Sequence, residues 1–226
     1  MSRIGALIVA AGSGTRFGGL KQFAFLGGRP LVDWSCEAFQ VHPLIDDIVL
    51  VLPDQSEKIG WAERFPKILE VVSGGRRRQD SVRAGFLRLD PGRTGLVLVH
   101  DGARPLVSAG VIDRVIEGAS KSGAAVPIVS VDDTLKEIES NRVVRTLDRT
   151  RVGRVQTPQG FAYPLLDRAL TSAEAAEFTG TDEASLVERL GETVTVVSGD
   201  PRNVKITTPL DLITAKAIRH ENRPRV

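Results

Sequence analysis

"IGALIVAAGSGTRFGGLKQF", Ile4 to Phe23, opens with an unbroken apolar run, Ile4 to Ala11, and passes directly into a loop with glycines at 12, 14, 18 and 19. A short run without polar alternation is the pattern of a strand buried on both faces. Glycines straight after such a strand let backbone N–H groups approach an anion closely. Two spacings test what that anion is. A dinucleotide fingerprint needs a third small residue where Phe17 stands, and an acid about 20 positions on, at the end of the second strand. The first acid past that strand is Asp54, too far along. A phosphate-binding loop of the Gly-Lys-Ser/Thr type also fails, because Lys21 follows Leu20 and precedes Gln22. What remains is a glycine nest flanked by Arg16 and Lys21, a set of amides and cations suited to a triphosphate.

Outward from this loop, strands and helices alternate. "DDIVLVLP" and "KILEVVSGG" read as strands, the first stopped by Pro53, and "GLVLVHDGARP" as a buried strand running into a polar loop. "AAVPIVSV" is a further strand. Between them lie helices at "RPLVDWSCEAFQ", at "DSVRAGFLRL" with Asp80 or Ser81 as N-cap, and at "SAGVIDRVIEGASKSG", closed by Gly123. This rhythm predicts a mainly parallel α/β sheet covered by helices on both faces. Ligands on such sheets sit at the carboxyl ends of strands, so the loops at 11–22, 73–81 and 101–105 are expected on one edge.

The alternation breaks after Val131. "VDDTLKEIESNRVVRTLDRTRVGRVQTPQG" has little helical periodicity and reads as short strands about a polar turn at Glu139 to Arg142. A polar hairpin is poorly suited to join the core, so the segment from about 132 to 155 is expected to protrude as an arm that packs on a second subunit. Helices near 164–175 and at "TDEASLVERLG", a strand at "TVTVVSG" and a helix from Pro209 complete the chain. The 226 residues need only one domain, 1–226.

A net charge of +2 argues against nucleic-acid wrapping or a polybasic membrane anchor. The apolar run Ala6 to Ala11 is too short for a signal-peptide core or a membrane span. One cysteine, Cys36, cannot form an intrachain disulfide. The expectation is a soluble cytoplasmic protein.

Several segments together carry a resemblance. "AAGSGTRFGGLKQF", "GGRRRQDSV", "VHDGARPLV", "DDTLK", "LDRTRVGRVQTPQGF", "TGTDEASLVE" and "GDPRNVKITTPLDL" resemble, in order and over nearly the whole chain, the segments of the 2-C-methyl-D-erythritol 4-phosphate cytidylyltransferases. The resemblance implies a single-domain, Rossmann-like nucleotidyltransferase fold with a mixed sheet and a β-arm. It implies transfer of CMP from CTP to methylerythritol phosphate with release of pyrophosphate, in the non-mevalonate isoprenoid pathway.

By the same resemblance, Arg16, Lys21 and Lys205 are the catalytic cations. Ala10, Ala11, Gly12, Gly14, Asp101 and Gly102 contact the nucleotide, while Gly75 and Ser81 read the cytosine. Arg104, Thr134, Arg149 and Lys205 hold the acceptor phosphate. Asp101 coordinates Mg²⁺ or another divalent cation, and Asp200 stays outside the metal set. The arm residues Thr134 and Arg149 are implied to reach the partner's site in a homodimer. Gly102 departs from the family, which often has Ala there.

The remaining conspicuous residues have plainer readings. His100 reads as a core-edge histidine, Trp34 and Trp61 as packing residues, Arg76 and Arg77 as a solvated charge run, and Asp182 as a helix N-cap. Two other functions fit parts of the pattern. One is the same fold acting on another sugar-alcohol phosphate such as ribitol 5-phosphate. The other is a nicotinamide-dependent oxidoreductase, which Phe17 and the missing ribose acid oppose.

Overall fold

The computed structural model describes residues 2–54 and 60–221. The run after Ser2 is β1 (Arg3–Val9), and the glycine loop follows it as two 3-10 turns, Thr15–Phe17 and Lys21–Phe23. Two-residue strands β2 (Phe25–Leu26) and β3 (Arg29–Pro30) make a small hairpin before α1 (Leu31–Gln40). Next come β4 (Asp47–Leu52), α2 (Trp61–Arg64), β5 (Ile68–Ser73), α3 (Arg78–Phe86) and β6 (Thr94–Asp101). Then α4 (Ala109–Ser122) and β7 (Ala124–Ser130) lead to the arm, whose strands are β8 (Lys136–Glu139) and β9 (Arg142–Thr146). The chain continues through β10 (Gly153–Val155), β11 (Gln159–Ala162), α5 (Tyr163–Ala175), α6 (Glu183–Arg189), β12 (Thr195–Ser198) and α7 (Pro209–Glu221).

Among the described residues, an eight-stranded sheet runs in the order β10-β7-β11-β6-β1-β4-β5, with β12 also on β7. β6, β1, β4 and β5 are parallel. β11 inserts antiparallel between β6 and β7, and so makes the sheet mixed. From β1 the chain builds outward to β4 and β5, then returns to place β6 on the other side of β1. The crevice of a doubly wound sheet lies at such a reversal, at the carboxyl ends of the strands. Register puts Val9 beside both Val51 and Asp101 there.

The period of two along β1 sorts its residues between two cores. Ala6 and Ile8 join Leu50, Leu98 and the inner faces of α1 and α4, including Phe39, Val111 and Val115. Leu7 and Val9 join Val49, Val51, Val97 and Val99 beneath α3, α5 and α6, including Phe86, Leu166 and Leu186. A run apolar at every position is therefore a strand with two buried faces. A smaller cluster of Leu26, Leu31, Ile206 and Ala215 docks α7, and Phe17 packs against it. Trp61 lies in the first core, and Trp34 donates its indole N–H to the Leu26 carbonyl at 2.8 Å.

Two local expectations need correction, and two helix ends stand as expected. α3 begins at Arg78, with Arg77 as its N-cap residue. Asp80 is the third helical residue and accepts from the Arg77 N–H at 3.0 Å. The carboxylate thus satisfies a helix-end donor from inside the first turn, rather than as the N-cap itself. Within the predicted arm, β8 and β9 form the separate hairpin, whereas Gly153–Val155 pairs with β7 in the main sheet. Asp182 does cap its helix, accepting from Ser185 N–H at 3.0 Å, and Gly123 closes α4 at φ 87°. No helix among the described residues is long and apolar enough to cross a membrane.

Phe161 of β11 is fully buried between β6, β7 and the layer of α5 and α6. Phe161→Ala is expected to lower unfolding free energy by about 3–5 kcal/mol, because neighbouring strands cannot collapse into the cavity. Urea titration of both proteins checks this.

Candidate active site

A cleft of about 370 Å³ lies at the carboxyl ends of β1, β5 and β6. Its lining brings together Ala10, Ala11, Gly12, Lys21, Gly75, Ser81, Asp101 and Lys205 of the predicted set, with Arg78 beside them. The three strand-end loops therefore share one edge. Their close approach rests on small residues. A Cβ on Gly74 would strike Ala11, and one on Gly102 would lie 2.8 Å from the Ala10 Cβ. Gly102 is buried beneath the glycine loop, and its carbonyl accepts from Ser35 Oγ at 3.2 Å. It supports the loop from below and is not part of the cleft lining.

Gly14 takes φ 67° at the head of the first 3-10 turn, and its carbonyl accepts from the N–H groups of Phe17 and Gly18 at 2.8 and 3.0 Å. A Cβ there would collide with the Gly19 carbonyl. Gln22, nearly fully buried, donates to the Gly12 carbonyl at 3.2 Å and holds the loop's near end. Across the cleft, Ser81 Oγ accepts from Gly75 N–H and donates to the Arg77 carbonyl, both at 3.1 Å. The serine hydroxyl thus shapes the second loop.

Asp101 ends β6 and is 7% exposed. Arg78 Nε lies 3.0 Å from its Oδ1, Lys205 Nζ 2.7 Å from Oδ2 and Arg104 Nε 3.9 Å from Oδ2. Burial alone would raise this carboxyl, but the three cations outweigh it and hold it well below the usual carboxylate range. Arg78 is itself anchored. Its Nη1 meets both oxygens of the buried Glu183 at 2.7 and 2.8 Å. Burial pushes the Glu183 carboxyl up, against the pull of Arg78. Lys21 stands near this group, and burial followed by the neighbouring charge of Lys205 lowers its ammonium. The arrangement holds more cationic than anionic charge and faces a cleft rimmed with loop backbone, as a polyphosphate requires.

Behind Asp101 is His100, fully buried. Its Nε2 lies 3.2 Å from the Arg104 carbonyl, which can only accept, so Nε2 carries the hydrogen. Nδ1 then accepts from the Thr157 hydroxyl at 3.1 Å, and that hydroxyl accepts from Asp101 N–H at 3.0 Å. His100 is a neutral strut under the acid.

A second cavity of about 320 Å³ adjoins the first and is lined by Arg104, Arg154, Lys205 and Asp211 among others. Arg104 Nη1 donates to the Asn203 carbonyl at 2.8 Å, while its buried Nε has no hydrogen-bond partner among the described residues. Arg16 is exposed on the glycine loop, outside the lining of either cavity. Thr134 and Arg149 lie exposed on the arm, also outside both, with Arg149 Nη1 donating to the Asp132 carbonyl.

Asp101 can offer a divalent cation hard, ionised oxygens. Among the described residues no group of three or more His, Cys, Asp or Glu could hold a metal. A cation here fits only if shared with phosphate oxygens, the usual way Mg²⁺ is held on a nucleotide. The Asp200 carboxylate is engaged by Arg202 at 3.1 Å.

Sequence reasoning passed over Glu183 and Gln22 as site-shaping residues. Gln22 sits inside the recognised loop motif, and that was its signal. Glu183 likewise sits inside the recognised segment "TGTDEASLVE", beside the cap Asp182, but its partner Arg78 is 105 positions away.

The family model described as 2-C-methyl-D-erythritol 4-phosphate cytidylyltransferase matches residues 4–221. A protein of that name from Syntrophus aciditrophicus is 40% identical over 232 residues, covering 99% of each chain. The crystal structure of the Thermus thermophilus protein of the same name superposes with a TM-score of 0.81 at 39% identity, covering 96% of this chain and 99% of that one. A 4-diphosphocytidyl-2C-methyl-D-erythritol synthase from Anaerococcus prevotii gives a TM-score of 0.83 at 32% identity, over 97% and 96% of the two chains.

Burial pushes the His100 imidazole down from 6.5 to about 4. The neutral ring is thus the folded form, and the unfolded chain takes up the proton first. The stabilisation is complete above pH 6.5 and is lost as pH falls toward 4, at no more than about 1.4 kcal/mol per pH unit. Urea midpoints of wild type and His100→Asn, taken from pH 7 to pH 4.5, are expected to converge on acidification.

Proposed function

The chain belongs to the 2-C-methyl-D-erythritol 4-phosphate cytidylyltransferase family, and from that premise we propose that its two adjoining cavities hold CTP and the acceptor phosphate. The reaction transfers CMP from CTP to 2-C-methyl-D-erythritol 4-phosphate, giving 4-diphosphocytidyl-2-C-methyl-D-erythritol and pyrophosphate, a step in isoprenoid precursor synthesis. The observation that carries this reading is the cleft at the β1/β6 reversal. It gathers the glycine-loop residues, Lys21, Asp101 and Lys205 at one point. A ribitol phosphate acceptor and a nicotinamide cofactor are not favoured by the family match, and Phe17 packs where a dinucleotide loop needs a small residue.

An oxygen of the acceptor phosphate attacks the α-phosphorus of CTP, and the bond to the β-phosphate oxygen breaks. The attacking oxygen is already ionised near pH 7, so no general base is required. Catalysis is positioning and charge stabilisation. In our reading, the backbone amides of the 10–14 loop cradle the triphosphate, and Lys21 and Arg16 meet charge that grows on the leaving pyrophosphate. Gly75 and Ser81 close the cytosine side. Arg104 and Lys205 hold the acceptor phosphate. Asp101 would hold Mg²⁺ or another divalent cation, which when bound supplies a positive charge shared among the phosphate oxygens.

We infer a homodimer through the arm. The hairpin exposes Ile138, Val143 and Val144 at 66%, 61% and 54%. Apolar side chains on a projecting two-stranded ribbon gain burial by crossing to a second copy. Crossing would also bring Thr134 and Arg149 to the partner's acceptor phosphate. The buried thiol of Cys36 agrees with the reducing cytoplasm we propose as its location.

Pyrophosphate release from each of the four ribonucleoside triphosphates, with and without methylerythritol phosphate, tests the assignment. Release is expected only with CTP and acceptor together. Excess EDTA or Asp101→Asn should nearly abolish it, and Lys21→Ala should lower kcat far more than it weakens CTP binding. Equal turnover with ATP or GTP would remove the cytidylyl reading.

The dimer has its own test. Asp101→Ala and Arg149→Ala chains are unfolded and refolded together. If the arm serves the partner's site, about half the dimers are mixed and each has one intact site, so roughly a quarter of wild-type activity returns. No recovery in a mixture shown to contain heterodimers means that Arg149 acts within its own chain.

A further inference from the structure

Three cations surround Asp101, and they are not equally bound. Arg78 is fastened by two contacts to Glu183 at 2.7 and 2.8 Å as well as by its 3.0 Å contact to Asp101. Arg104 is pinned by the Asn203 carbonyl at 2.8 Å. Lys205 has a single tie, the 2.7 Å contact from Nζ to Asp101 Oδ2, and among the described residues its ammonium has no other partner. Its main chain is fixed on both sides. Asn203 is fully buried and donates to the Thr157 carbonyl at 2.8 Å, and Ile206 N–H donates to the Ala103 carbonyl at 2.8 Å. Its side chain remains 39% exposed. Lys205 also lines both cavities, the cleft beside the glycine loop and the chamber with Arg104 and Arg154. A long flexible side chain thus springs from a rigid point on the wall between two chambers.

An ammonium and a divalent cation on the same carboxylate oxygen repel each other, so a cation arriving there favours the ammonium's departure. We propose that Lys205 is an exchange cation. Its ammonium neutralises Asp101 in the free enzyme and swings into the Arg104–Arg154 chamber when a cation-bearing triphosphate takes that oxygen, so that nucleotide loading charges the acceptor-phosphate site. This rests on the reading of Asp101 and Lys205 given above and adds the movement that couples them. In neither state is a charge left alone. Before loading, Asp101 and Lys205 neutralise each other. After loading, Asp101 faces the metal and Lys205 stands in the chamber that Asp211 also lines, ready for the acceptor's phosphate dianion. Arg78, tied to Glu183, stays behind and keeps the carboxylate ionised and aimed throughout.

The test uses the whole protein, the non-reacting analogue α,β-methylene-CTP and Mn²⁺. Calorimetry gives analogue affinity with Mn²⁺ and with EDTA, and the ratio is the metal enhancement. Lys205→Met removes the ammonium that must be displaced, so its enhancement is expected to exceed that of wild type by about tenfold, the size of one charge-assisted hydrogen bond. Lys205→Arg keeps the charge and should not exceed wild type. In wild type the analogue with Mn²⁺ should tighten methylerythritol phosphate binding, and in Lys205→Met that tightening should disappear. A Lys205→Met protein with wild-type melting temperature and wild-type metal enhancement overturns the exchange. Asp101→Asn separates the premise from the proposal. Its enhancement should vanish, and if it persists at the wild-type value the metal reading of Asp101 fails and the exchange goes with it.

Discussion

A buried carboxylate at the end of a central strand is the constraint on which this site depends. Asp101 sits at the mouth of the doubly wound crevice, and a charge so placed is costly unless cations and hydrogen bonds meet it. Its partners come from distant parts of the chain. Arg78 arrives at the first residue of α3, Arg104 from the loop after β6, Lys205 from the segment before α7, and Thr157 from the turn before β11. Glu183 of α6 then neutralises the excess on Arg78. Satisfying one acid therefore docks α3, α6 and the 203–206 segment against the same strand end.

The charge left over suits this knot to an anionic ligand. Asp101 and Glu183 are met by Arg78, Arg104 and Lys205, and Lys21 stands near them with its proton affinity lowered by burial and then by the charge of Lys205. Apart from the swing proposed for Lys205, a polyanion entering the cleft would meet cations already in place, and preorganised charge of that kind is what phosphoryl chemistry rewards. The rigid members lie on strand ends and helix starts. Thr134 and Arg149, which we propose as acceptor-phosphate residues, lie apart on an arm that leaves the body of its own chain.

The antiparallel strand β11 does more than widen the sheet. It carries Gln159, which donates to Asp182 at 2.7 Å and accepts from Ala184 N–H at 3.2 Å, so it positions the start of α6 and with it Glu183. The Thr157–Pro158 peptide preceding it is cis. Through β11, the segment that breaks the α/β rhythm returns to the core and supports the acid from behind.

Features legible in the sequence were those whose cause is local. An unbroken apolar run specifies a strand buried on both faces, because alternate side chains go to opposite sides and both must be dry. Glycine spacing and Phe17 excluded a dinucleotide loop by simple crowding. Gly123 and Asp182 announced helix ends because a left-handed residue and a side-chain acceptor satisfy backbone groups within a few positions. The start of α3 was misplaced because Asp80 satisfies its terminus from within the first turn, so the same residue type serves two geometries. The arm's bounds were drawn too wide because a three-residue edge strand such as β10 carries too little pattern to separate it from a hairpin. Which cleft residues touch was decided by tertiary structure alone. The Arg78–Glu183 pair spans 105 positions and Lys205 meets Asp101 across the whole of β7 to β12. Pairings of that kind follow from the order of strands in the sheet, which no local periodicity encodes, so the sequence could declare a phosphate-binding strand end while only the folded chain could assemble its charges.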